Sequence, residues 1–222
     1  MHPESLVSAI REAFGANEYP GDAYLVGSRE GCEPEEEAGA FRGRFEWHGV
    51  PSEFLDQHAA ALSFFSEAGF RFFLPAYLIA DIRSELRTAE PIFHLTNGFS
   101  DVSVEMDVGG RKFIRTAGKS TLINPRRYGA MTQMDYARMR LAVLTREEAG
   151  AIVAYLRWKL ESEGMPSGRS AIQAALDGYW LERARTAPTA AELREHLNDE
   201  AEFVRALREV AIDNPEVAER PE

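Results

Sequence analysis

Phe70-Arg71-Phe72-Phe73-Leu74-Pro75-Ala76-Tyr77-Leu78-Ile79-Ala80-Asp81-Ile82 is the stretch on which the fold turns. A surface helix keeps one polar face, but here apolar side chains fall on almost every side, as they do in a helix enclosed by protein. The pattern predicts a buried central helix over Phe70–Leu86, with Ser66 as a cap upstream. Pro75 has no N–H for the carbonyl of Arg71, so a kink is expected there. Arg71, Tyr77 and Asp81 are the polar groups of this helix, and each needs a partner if buried. Arg71 and Asp81 are ten residues apart, about 15 Å along a helix axis, so they cannot serve one another. Asp22 and the run Glu33–Glu37 are the candidate partners for Arg71.

Toward the N-terminus, Leu6, Val7, Ile10, Ala13 and Phe14 have helical spacing between Pro3 and Gly15, which predicts an amphipathic helix over 3–14. Tyr19-Pro-Gly-Asp22 has the order of a type II turn, and Tyr24-Leu-Val26 is read as a short strand. Pro34 opens a short acidic helix, and Pro51 or Ser52 opens another that runs through Phe54, Leu55, His58, Ala61 and Leu62. Toward the C-terminus, Val102, Val104, Met106 and Val108 alternate with polar residues. Gly109-Gly110 then separates them from Lys112-Phe113-Ile114, the pattern of a β-hairpin. Residues 118–130 read as a loop, and a helix is expected over Asp135–Leu144. Thr145 with Glu148, and Thr189 with Glu192, have the spacing of capping boxes. Met165-Pro-Ser-Gly168 reads as a linker, followed by helices near 170–184, 190–197 and 200–211. The expected fold is α+β and predominantly helical: a buried central helix, a small antiparallel hairpin and a C-terminal helical extension. The principal domain is placed at 1–165, the extension at 169–212 and a disordered tail at 213–222.

The 222 residues carry a net charge of −11, which disfavours nonspecific binding to nucleic acid. Cys32 is the one cysteine, so neither an internal disulfide nor a Cys-rich metal site is available. No secretory leader or membrane-length apolar run is recognised, and a reducing cytoplasm is the expected location.

The motifs Tyr19-Pro-Gly-Asp22, Cys32 with its glutamates, Trp47, His58, Phe70-Arg-Phe-Phe-Leu-Pro-Ala-Tyr-Leu78 and Leu144-Thr-Arg-Glu-Glu148 occur in that order. Together they resemble an uncharacterised, mainly bacterial domain-of-unknown-function family with a YPGD turn and an FR-aromatic-aromatic-LPAYL helix. The resemblance covers roughly residues 5–160 and implies no activity, cofactor or catalytic residue.

Direct signs of chemistry are few. Gly118-Lys-Ser-Thr121 lacks the upstream glycine and the strand-loop-helix order of a phosphate loop. His2, His48, His58, His94 and His196 include no pair at helical zinc spacing. His48, His58 and His94 could meet only through the fold. Cys32 among glutamates is read as a small packed residue, not a nucleophile. No cofactor and no metal are called for.

Three functions remain on this reading. The favoured one is a non-enzymatic acidic protein-binding module whose Glu33, Glu35, Glu36 and Glu37 dock a basic protein partner. The second is an enzyme of unrecognised type, with Asp22, His58, Arg71, Tyr77 and Asp81 forming a polar cleft around the kinked helix. The third is a scaffold that self-associates through Leu193, Leu197, Phe203, Val204 and Leu207.

Overall fold

The computed structural model describes residues 2–195 apart from 29, 110, 124–128 and 163. Helix α1 spans Pro3–Phe14 and buries Leu6, Val7, Ile10 and Phe14, the face its spacing predicts. His2 caps it by accepting a hydrogen bond from the N–H of Glu4. Short helices follow: α2 (Glu33–Glu37), α3 (Ser52–Gln57) and α4 (Ala61–Phe64). The single helix expected from Pro51 to Leu62 is thus two, because His58 takes φ −110° and ψ 52° and ends α3.

Helix α5 spans Glu67–Ile82 and buries twelve of its sixteen residues, so the quoted stretch is the enclosed rod it reads as. Ser66 caps it, accepting from the N–H of Gly69 at 3.0 Å. The helix runs through Pro75, and the side chain of Asn17 donates to the carbonyl of Arg71 at 3.4 Å, replacing the N–H that proline lacks. It stops four residues before Leu86. Ser84 turns left-handed at φ 56°. The N–H of Glu85 then returns to the carbonyl of Ala80 at 2.9 Å, and that of Ser84 to Asp81 at 2.9 Å, closing a Schellman end.

The turn at Tyr19–Asp22 also departs from expectation. Gly21 has the positive φ a type II turn needs, 88°, but its ψ of 150° keeps the chain extended. A 3-10 turn, Asp22–Tyr24, takes the place of the expected strand, leaving only a bridge between Val26 and Phe65. A Cβ on Gly69 would lie 2.7 Å from the carbonyl oxygen of Leu25, so glycine lets this segment pass against the start of α5.

Helix α6 (Pro91–Thr96) precedes the antiparallel hairpin β1 (Val102–Val108) and β2 (Arg111–Ala117), paired from Val102↔Ala117 to Val108↔Arg111. Helix α7 spans Gln133–Leu141, opened by a capping box between Thr132 and Asp135 that the sequence reading passed over. Helix α8 spans Arg146–Ser162. Met165–Gly168 is not a linker: Pro166 sits in the first turn of α9 (Pro166–Ala175). A π-type stretch, Leu176–Trp180, leads into α10 (Leu181–Thr186). Ile172, Ala175, Leu176 and Trp180 belong to the same buried cluster as α1 and α5, and the Trp180 indole donates to the carbonyl of Leu95 at 2.8 Å. The second capping box is formed, with the Thr189 N–H donating to Glu192 at 2.6 Å. The helix expected at 200–211, the tail, and Leu197, Phe203, Val204 and Leu207 lie outside the described residues. The chain is therefore predominantly helical, with its hairpin the only sheet among the described residues.

Candidate functional site

Each polar group of α5 is closed by its own partner. The Nε of Arg71 lies 3.0 Å from both carboxylate oxygens of Glu148, whose side chain is 0 % exposed. Glu148 is also the third residue of the Thr145 capping box: its carboxylate accepts from the Thr145 N–H at 2.7 Å. One carboxylate thus opens α8 and neutralises α5, and the partner of Arg71 is neither Asp22 nor the Glu33–Glu37 run. Asp81 accepts from the Tyr155 hydroxyl at 2.7 Å and from the ammonium of Lys159 at 2.9 Å. Burial, and then the neighbouring Asp81 carboxylate, push the Tyr155 phenol well above its ordinary value. Tyr77 donates to the backbone carbonyl of His58 at 2.8 Å, and its phenol is raised chiefly by burial.

Asp22 stands apart from these groups, at an open cleft of about 410 Å³. The extended backbone at Gly21 delivers Asp22 to the surface. There its carboxylate accepts from the Tyr19 hydroxyl at 2.6 Å and from the N–H of Gly43 at 3.1 Å. The Tyr19 bond first, and the Gly43 bond next, hold the Asp22 carboxyl below its ordinary value. Burial, followed by that same carboxylate, raises Tyr19 to about 12. Arg42 crosses the cleft wall, pairing with both oxygens of Glu35 and donating to the Asp22 carbonyl at 3.5 Å. Val26, Ser28 and Pro34 complete the lining.

Two exposed aromatic rings belong to the segments that carry Asp22 and Arg42, though neither lines the cleft. Tyr24, on the same turn as Asp22, is 73 % exposed, and Phe45 is 68 % exposed. Phe45 meets Tyr19 edge-on, with ring centroids 5.1 Å apart. Of the four glutamates, Glu35 is held by Arg42, and Glu37 accepts from the N–H of Ala60 at 3.2 Å. Glu33 and Glu36 are exposed on α2. Cys32, expected to be packed, is exposed at the start of that helix.

Of the five residues proposed as a polar cluster, only His58 and Tyr77 share a hydrogen bond, and it uses the backbone of His58. His48, His58 and His94 do not gather. His48 stacks on Trp47, His58 lies against Phe41 and Phe54, and His94 lies against Phe70 and Phe93. Among the described residues no group of three or more His, Cys, Asp or Glu is placed to hold a metal ion. Tyr24, Arg42 and Phe45 were missed from sequence. For Arg42 and Phe45 the signal was the mixing of arginine and aromatic residues in Phe41-Arg-Gly-Arg-Phe-Glu-Trp47, whereas Tyr24 carried none.

The chain belongs to a family of unknown function, DUF6714, whose model matches residues 3–184. That match runs through Met165–Gly168 and extends beyond the 5–160 span of the resemblance seen in the motifs. No curated protein and no solved structure matches the chain. Among the described residues no helix is long and apolar enough to cross a membrane.

Proposed function

We propose that this chain is a non-enzymatic, acidic protein-binding module of the cytoplasm that receives a basic segment of a protein partner at the Asp22–Arg42 cleft. The observation that carries the reading is the exposure of Tyr24 and Phe45, the most exposed aromatic rings among the described residues, on the two segments that supply Asp22 and Arg42 to a cleft edged by carboxylates. Exposed aromatic rings are the usual anchors of protein interfaces. A ring beside a carboxylate suits an arginine or lysine side chain, through cation–π contact and charge pairing together. Glu33 and Glu36, free of the bonds that hold Glu35 and Glu37, extend the acidic surface along α2. The net charge of −11 favours such an encounter and opposes nucleic acid. The closure of Arg71, Asp81 and Tyr77 by structural partners weighs against the enzymatic alternative.

The test is affinity capture at about 50 mM and about 500 mM salt, a range over which screening weakens exposed charge pairs. Wild type is compared with a Tyr24→Ala/Phe45→Ala variant whose fold is verified by circular dichroism. The reading expects a basic protein held by wild type at low salt and lost both from the variant and at high salt. Equal recovery by the two proteins, or no recovery at low salt, overturns it.

A further inference from the structure

A second cavity, of about 290 Å³, lies among α4, α6 and α7, outside the cleft described above. Its size is at the small end of the roughly 300–1,000 Å³ typical of ligand cavities. Phe93, which is 50 % exposed, together with Ile123 and Leu141 supplies its apolar surface. Ser63, His94, Asn97 and Gln133 face it as well, and none of their side chains hydrogen-bonds to another described residue.

Arg140 sets the electrostatics of this cavity. Its terminal N–H groups are fixed on the backbone carbonyls of Ser63, at 3.3 Å, and Leu62 and on the Tyr136 hydroxyl, at 3.4 Å, and its guanidinium lies 4.8 Å from the centre of the Phe70 ring. Its Nε is buried with no hydrogen-bond partner. No carboxylate among the described residues pairs with it. A half-buried cation whose charge meets no described carboxylate is better satisfied with an anion beside it, so the cavity favours an anion. The groups facing His94 are Arg140 and Tyr136 from α7, Phe70 from α5 and Ser63 from α4. Burial, and then the charge of Arg140, push the His94 imidazole down to about 4. At neutral pH it is therefore a neutral donor and acceptor rather than a second cation. One cation with three N–H groups already committed suits a single negative charge better than phosphate, which needs several free donors. The rim formed by Phe93 and Ile123 suits an apolar body.

We infer that this cavity binds a small organic monocarboxylate, with its charge toward Arg140 and His94 and an aromatic or branched apolar body against Phe93 and Ile123. The site is separate from the partner-binding cleft and does not depend on it.

The test is nuclear magnetic resonance of the isotope-labelled full chain, titrated separately with benzoate, benzamide and inorganic phosphate at pH 7. Benzoate should shift the His94 imidazole and the Asn97 and Gln133 side-chain amides saturably. It should bind about tenfold or more tightly than benzamide, the ratio that one pKa unit of charge interaction represents. Phosphate should not displace it. Bound carboxylate should raise the His94 pKa, so binding takes up a proton and benzoate affinity rises as the pH falls from 7 toward 5. Asn97 is exposed, and Asn97→Ala should keep the melting temperature while weakening benzoate several-fold. Arg140→Gln should remove the preference for benzoate over benzamide. Absence of saturable shifts at about 10 mM benzoate, a concentration beyond even millimolar affinity, overturns the inference. Equal binding of benzamide, or displacement by phosphate, overturns it as well.

Discussion

Arg71, on α5, and Arg140, on α7, are two half-buried arginines with opposite surroundings. The first finds a carboxylate, Glu148, that is wholly enclosed and also fixed by its own capping box. The second is anchored on backbone carbonyls and an aromatic ring, and its charge is met by no described carboxylate. The same side chain is therefore internal structure in one place and an unneutralised charge at a cavity wall in the other. A polar group in a protein of this kind points to function when the protein itself leaves it unanswered, not when it merely interrupts an apolar run.

The largest expected effect lies on the closed side of that comparison. Arg71→Met leaves the Glu148 carboxylate enclosed without a counter-charge, which should cost about 3–5 kcal/mol in a urea unfolding titration. Replacing both partners, as Arg71→Met/Glu148→Leu, should recover most of that loss, because no buried charge then remains. A cost below about 1 kcal/mol for the single change would show that water reaches Glu148, and the contrast with Arg140 would fail.

The sequence made half of this comparison legible. The enclosure of α5 followed from its unbroken apolar surface, and the Thr145–Glu148 box from spacing alone. The second role of Glu148 was hidden, because Arg71 lies 77 residues earlier and only tertiary folding joins them. The end of α5 was misplaced for a local reason. Helices commonly stop at a left-handed glycine, but here Ser84 takes that conformation, and serine gives no such signal. Asp22 was recognised as a candidate. Tyr24 was not, since one aromatic residue between Ala23 and Leu25 reads as a strand until the 3-10 turn carries it into solvent. The cavity beside α6 was beyond sequence reasoning. His94 and Arg140 are 46 positions apart, and nothing local marks Arg140 as lacking a carboxylate.

An intermediate effect belongs to His94 and concerns pH. Its imidazole is held near 4 in the folded chain, against about 6.5 when free. The folded state thus binds fewer protons than the unfolded state between those values. The contribution of His94 to stability is complete above about pH 6.5 and is lost as the pH falls toward 4, by roughly 1–3 kcal/mol. His94→Gln should flatten the stability profile across that window. The drop at more acid pH, where the depressed carboxyls of Asp22 and Asp56 begin to protonate, should remain. An unchanged profile in the variant would mean that His94 is free to ionise in the folded chain, and that Arg140 does not govern its surroundings.

The smallest effects should fall on the open side, and their smallness is what gives them meaning. Tyr24 holds most of its ring in water, and the bond its residue makes to Ser66 comes from its backbone carbonyl, which Tyr24→Ala retains. Asn97 is exposed, and its side chain bonds to no described residue. Each substitution to alanine should change unfolding free energy by no more than about 0.5 kcal/mol, the usual range for surface positions away from caps, cores and buried pairs. A ring that contributes nothing to the folded state is available to the partner proposed for the cleft. If Tyr24→Ala instead costs more than about 1.5 kcal/mol by urea titration, the ring is packing against the fold. The cleft would then be an incidental gap between structural contacts, and the difference between its residues and those of α5 would disappear.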